Sequence, residues 1–157
     1  MTDKTAPKLV LALPKKGAIT IPVEKDIVLT FNERIKVGTG NITIINANDA
    51  TDTRVISVNS SEISTNDKTL TVTFDKELHP NSHYTVKIDN TAIEDLSGNK
   101  YAGIKNTTTL FFDTVDQRAP SLKTPLANTS NIASNSNIIL AFDEKIQAGT
   151  GNIAKAA

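Results

Sequence analysis

The strongest constraint on this chain is that it repeats itself. Residues 27–42 read IVLTFNERIKVGTGNI and residues 138–153 read IILAFDEKIQAGTGNI, identical at most of their sixteen positions. The offset there is 111 residues, and Ala6-Pro7 recurs as Ala119-Pro120 at an offset of 113, so the second copy is two residues shorter in its first loop. A fixed internal period marks a structural unit used more than once, and a period of this length is that of a whole domain. The reading is one complete domain over 1–118 followed by the start of a second over 119–157, cut just after the turn Gly149-Thr-Gly-Asn152. The tail Ala154-Lys-Ala-Ala157 loses the pattern. A piece below about 40 residues seldom buries a core unaided. Residues 121–157 are therefore expected to be mobile in a monomer or ordered against a neighbouring chain, with strand 138–142 a self-association risk.

Within the first unit the dominant local signal is alternation with a period of two, bounded by turn residues. Leu9, Leu11 and Leu13 alternate ahead of Pro14, and Ile19 and Ile21 ahead of Pro22. Ile27, Leu29 and Phe31 share one face, and Ile42 and Ile44 resume after the Gly38-Thr39-Gly40 turn. Val55 to Val58, then Leu70, Val72 and Phe74, then Tyr84, Val86 and Ile88, and last Leu110 with Phe112 complete about seven strands. Composition agrees: 21 Thr, 17 Ile and 9 Val suit pleated strands, while 15 Asn and 10 Ser suit the turns between them. No stretch shows a 3.6-residue apolar period. The fold class is all-β, an immunoglobulin-like β-sandwich of about seven strands.

Several function classes drop out early. The 17 basic residues balance 17 acidic ones, so the chain lacks the electrostatic footprint of a nucleic-acid or anionic-membrane binder. No apolar run approaches the roughly 20 residues of a membrane-spanning helix. With no cysteine there is no disulfide framework, thiolate metal site or cysteine nucleophile. Two histidines and no protected carboxylate pair leave little for acid–base chemistry, so no enzyme is expected. The opening MTDKTAPK has no apolar core of the secretory-signal kind. The chain is thus either cytoplasmic or a piece of a longer exported protein, and its residue usage favours the second.

Leu78-His-Pro80-Asn-Ser-His-Tyr84 stands between two strongly alternating strands. In Ig-like sandwiches a tyrosine at the start of the sixth strand bonds the backbone a few residues upstream, the tyrosine corner. Tyr84 is placed for that role, with Leu78 and Pro80 shaping the corner; the alternative is an ordinary half-buried strand tyrosine. Gly38-Thr-Gly-Asn41 leads into a strand rather than a helix, so Gly38 and Gly40 read as tight-turn glycines and not as a phosphate loop.

The string Leu29-x-Phe31-Asn-Glu33-x-Ile35-x-x-Gly38-x-Gly40-Asn-Ile42 resembles the signature of bacterial Ig-like repeats found in tandem in large surface adhesins and surface-layer-associated proteins. Leu78-x-Pro80-x-x-x-Tyr84, Ala92-Ile-x-Asp95-x-x-Gly98-Asn99 and Phe112-x-Thr114-x-Asp116-x-x-Ala119-Pro120 extend the likeness. The resemblance implies a secreted or cell-surface, non-catalytic extender module whose partners are neighbouring repeats of the same chain. The alternative is a glycan- or protein-binding module acting through its end loops.

Calcium at the junction between repeats is the sharpest site expectation. Asp113 and Asp116 precede the linker Ala119-Pro120, and Ca²⁺ takes six to eight oxygens, largely carboxylates and carbonyls. Asp95 and Asn99 of the Asp-x-x-Gly-Asn turn, with Glu33 and its copy Glu144, are further candidate ligands. Against this stands the reading of Asp113 and Asp116 as solvated and Asp95 as a turn former.

Overall fold

Eleven short strands form the chain's framework in a computed structural model that describes residues 2–123 and 139–153. They are β1 (Leu9–Leu13), β2 (Ala18–Ile21), β3 (Ile27–Phe31), β4 (Ile35–Val37), β5 (Asn41–Asn46), β6 (Arg54–Ser57), β7 (Ile63–Asn66), β8 (Thr69–Val72), β9 (His83–Ile88), β10 (Ile93–Asp95) and β11 (Phe111–Thr114). One turn of 3₁₀ helix, Ala50–Asp52, separates β5 from β6. The chain divides into two units, Met1–Gln117 and Arg118–Ala157.

In the first unit a four-stranded sheet runs β1-β3-β8-β7 and a five-stranded sheet runs β2-β11-β9-β5-β6. A two-stranded ribbon pairs β10 with β4. All pairings are antiparallel except β11 with β2. This is the all-β sandwich that the alternation called for. β3 shows why: Ile27, Leu29 and Phe31 are buried while Val28 and Thr30 are half-buried, the two-residue period of a strand with one face on a core. Facing it, Ile42, Ile44, Val86 and Ile88 are at most 1% exposed. Each such side chain contributes about 1.5–3 kcal/mol of burial free energy. Tyr101 closes one side of the core, its ring edge-on to Phe31 at 5.2 Å between centroids.

Two edge strands depart from simple alternation. In β1 the register shifts between Leu9 and Leu11, so Leu9 and Ala12 turn inward and Leu11 and Leu13 face out. A β-bulge of this kind adds a residue and flips everything after it to the other face. In β2 the backbone of Thr20 is left-handed (φ 57°) at a second register irregularity, and Ile19 is left 66% exposed. Phe74 falls just beyond β8 and is half-buried, covered by the Arg54 guanidinium 5.3 Å from its ring centre.

The second unit begins as the first does. Leu122 bridges Phe142, as Leu9 pairs with Phe31. The Asp143 N–H donates to the Ser121 carbonyl (3.1 Å) and the Ser121 N–H to Asp143 Oδ1 (2.9 Å). In the first unit the Asn32 N–H donates to the Lys8 carbonyl (3.0 Å) and the Lys8 N–H to Asn32 Oδ1 (2.7 Å). The expectations for residues 124–138 and for the tail 154–157 lie outside the described residues.

Candidate functional site

Three carboxylates from distant parts of the sequence meet in the first unit. Oxygens of Asp3, Glu33 and Asp95 all lie within 4.8 Å of one another. Glu33 sits in the turn between β3 and β4, and Asp95 ends β10, whose pairing partner there is Ile35 of β4. The ribbon therefore fixes two of the three carboxylates, and Asp3 arrives on the segment that leads into β1.

Asp95 is only 2% exposed. Its Oδ1 accepts the N–H groups of Ser97 and Asn99, both at 2.8 Å, and its Oδ2 accepts Asn99 Nδ2 at 2.7 Å. Asn99 Nδ2 also donates to the Asp3 carbonyl at 3.0 Å, tying the entering segment to the turn. Burial would push the Asp95 carboxyl up, but hydrogen bonds from Asn99, Ser97 and Gly98 outweigh it and hold the group below the ordinary range. Glu33 moves the other way: burial first, then the charges of Asp3 and Asp95, raise it, with Lys68 opposing. Like charges this close repel one another even where water screens them. An all-oxygen set of this kind suits Ca²⁺ or Mg²⁺ rather than a metal that prefers nitrogen or sulfur.

Of the expected calcium ligands, the fold brings Glu33, Asp95 and Asn99 together and leaves Asp113 and Asp116 out of the group. Asp113 lies on β11 in the five-stranded sheet, 2.6 Å from the His83 Nδ1 on neighbouring β9. Asp116 follows β11 and is exposed. β10 pairs with β4 in a ribbon of its own, whereas β11 belongs to the five-stranded sheet. Asp3 was missed. Its signal was present: it precedes Ala6-Pro7 by three residues, as Asp116 precedes Ala119-Pro120.

The opposite kind of polar cluster surrounds Tyr84, which is fully buried. Its hydroxyl accepts the His79 N–H at 2.7 Å and donates to Asp52 Oδ2. Asn46 Nδ2 donates to the same Asp52 oxygen (3.1 Å), and Arg54 reaches Asp52 Oδ1 (3.0 Å) and the Glu77 carbonyl (2.7 Å). Leu78, 2% exposed, anchors the corner through its N–H on the Val23 carbonyl, and the Pro80 carbonyl accepts Ser82 Oγ. Burial and the Asp52 contact push the Tyr84 phenol up to about 12. For Asp52 burial acts upward, yet hydrogen bonds from Tyr84, Asn46 and Arg54 prevail and lower it. An open polar depression of about 490 Å³ adjoins this network, floored by Asp52 and Arg54. Those two groups are already committed to each other and to the corner.

Gly38 and Gly40 serve close approach. A Cβ on Gly38 would sit 2.3 Å from the Thr91 carbonyl oxygen, and one on Gly40 (φ 99°) 2.8 Å from Asp89 Oδ2. No helix among the described residues is long and apolar enough to cross a membrane.

A family model described as "Bacterial Ig-like domain" matches residues 3–114. Comparison with curated proteins gives no match. Among solved structures, the S-layer protein rSbsC is similar at 18% identity with a TM-score of 0.43, over 75% of this chain and 15% of that one. This chain therefore spans only a small part of that protein's length.

Proposed function

We propose, given that this chain belongs to the family of bacterial Ig-like domains, that it is a non-catalytic spacer module of a secreted or cell-surface protein. Its work is mechanical: the sandwich holds a fixed distance between the segments on either side of it. Neighbouring repeats of the same chain are its partners in this reading. The internal repeat, which starts the second unit with the hydrogen-bond pattern of the first, is the observation that supports a tandem array.

Calcium stiffens the entry to the module. The supporting observation is the convergence of Asp3, Glu33 and Asp95 within 4.8 Å. Asp3 belongs to a strandless segment, whereas Asp95 ends a strand of the ribbon and Glu33 sits in the turn leading into it, so a cation held by all three pins the entering chain to the body. Asn99 positions Asp95 and the Asp3 backbone for this. Removing the mutual repulsion of three carboxylates is the energetic gain.

Thermal unfolding of the chain in EDTA and then in millimolar Ca²⁺ tests this. At a hundredfold excess over Kd, a cation that binds only the folded state adds about 2.7 kcal/mol, and melting rises by roughly 10 °C or more for a domain of this size. The rise is expected to vanish in Glu33→Gln and Asp3→Asn. Equal melting in EDTA and Ca²⁺ overturns the cation and leaves a metal-independent spacer.

A further inference from the structure

A depression of about 650 Å³ lies on the outer face of the five-stranded sheet. Sites for small ligands commonly span about 300–1,000 Å³. Thr43 and Ile45 of β5 and Lys87 of β9 line it, with Thr43 opposite Lys87 in the register of the two strands. The lining continues through Asn90, in the turn after β9, and through Ile104 and Lys105. An antiparallel bridge joins Ile104 to Ile88 of β9, each N–H reaching the other's carbonyl at 2.9–3.0 Å. Ile88 and Ile104 are buried, so the residues next to them, Lys87 and Lys105, face each other on the outer side. Like charges set opposite one another destabilise a sheet. Among the described residues neither ammonium has an ion-pair partner, and the side chains of Thr43 and Asn90 make no hydrogen bond.

We propose that this depression binds an acidic sugar, a uronic-acid unit of a polysaccharide. Its carboxylate meets the two ammoniums and relieves their mutual repulsion. Its hydroxyls meet the Thr43 hydroxyl and the Asn90 amide, and the C–H face of its ring rests on half-buried Ile45. Three observations choose this ligand. The depression is larger than a bare inorganic anion fills, and its lining mixes apolar and polar groups. β5 and β9 lie inside the sheet with neighbours on both edges, so no backbone edge is free for a peptide to add as a further strand. The one carboxylate in the lining, Asp89, is committed to the turn, its Oδ2 accepting the Asn41 N–H at 2.8 Å. Against it stand two lysines, so the lining carries a net positive charge.

The test is isothermal titration calorimetry of the full chain in EDTA with a galacturonic acid tetramer, its methyl ester, tetraglutamate and inorganic phosphate. EDTA keeps the calcium reading separate, and none of Asp3, Glu33 and Asp95 lines this depression. The tetramer should bind saturably and the uncharged ester should not. Lys87→Gln and Lys105→Gln should each weaken the tetramer about fivefold or more. Lys15→Gln with Lys16→Gln removes two charges outside the lining and should leave its affinity unchanged. Both site variants should melt no lower than the parent, since each loses a like-charge contact. No saturable binding, equal binding of the ester, or an equal loss on changing Lys15 and Lys16 overturns the proposal. A site variant that melts well below the parent does so too, because the lysine pair would then support the fold. Tetraglutamate bound as tightly as the tetramer points to an acidic protein instead, and phosphate bound as tightly reduces the depression to a plain anion site; either result overturns the sugar.

Discussion

The string at 27–42 and its copy at 138–153 carry nearly the same residues, yet one lies at the centre of a sandwich while Ile139, Leu140, Ile146 and Ile153 of the other are exposed. Both make the same first pairing, Leu9 with Phe31 and Leu122 with Phe142. Local sequence thus decides which strand meets which and in what register. Burial is decided elsewhere, by strands outside the string such as β8 and β9, which pair with β3 and β5. A core leucine such as Leu29 is worth several kcal/mol, and its half-exposed counterpart Leu140 much less.

The largest break in this symmetry comes from truncating matched leucines. Leu29→Ala should cost about 2–5 kcal/mol by denaturant unfolding, as a core leucine does. Leu140→Ala should leave the main transition within about 0.5 kcal/mol, as at a surface site. Matched glycines come next. Gly38→Ala drives a methyl into the Thr91 carbonyl and should cost about 1–3 kcal/mol. Gly149→Ala meets nothing within 4 Å and should leave the melting curve unmoved.

The tyrosine corner is part of what the first unit has and the described residues of the second do not. Tyr84→Phe leaves the His79 N–H without its acceptor and takes one of two donors from Asp52 Oδ2, at a cost of about 1–3 kcal/mol. The fold favours the protonated phenol, whose value rises from 10.0 to about 12. Its contribution is therefore full below pH 10 and lost as pH climbs toward 12, and alkaline unfolding of Tyr84→Phe should lack that step.

The smallest effect belongs to Glu33, in the turn before β4. Glu33 is raised from 4.5 in the fold, so ionising it opposes folding. In EDTA the first unit should gain stability as pH falls through the raised Glu33 value toward 4.5. With further acid it should lose stability as Asp52 and Asp95, both lowered from 3.8, take up protons. Glu33→Gln should abolish the gain and keep the loss.

Much of this was legible in the residues. Alternation located β3, β5, β8 and β9 because those strands are central, with one face on the core, so their pattern is the pattern of burial. Tyr84 and the Gly38-Thr-Gly40 turn were legible because each needs a particular side chain, or none, at one point. The bulge in β1 and the left-handed Thr20 were not, because both arise from how edge strands meet the sheets, and Leu11 and Ile19 look as apolar as any core residue. Asp3 escaped notice for a related reason. It lies on a segment with no period, and only the chain's path around the ribbon brings it to Glu33 and Asp95.

Amide hydrogen exchange, read by mass spectrometry on peptides covering 27–42 and 139–153 in dilute solution, tests the comparison most directly. Residues 27–42 should exchange only through global unfolding of the first unit, and 139–153 should exchange faster by orders of magnitude. Equal protection of the two copies would contradict it, since burial would then follow from the repeated string itself and not from the strands that close over it.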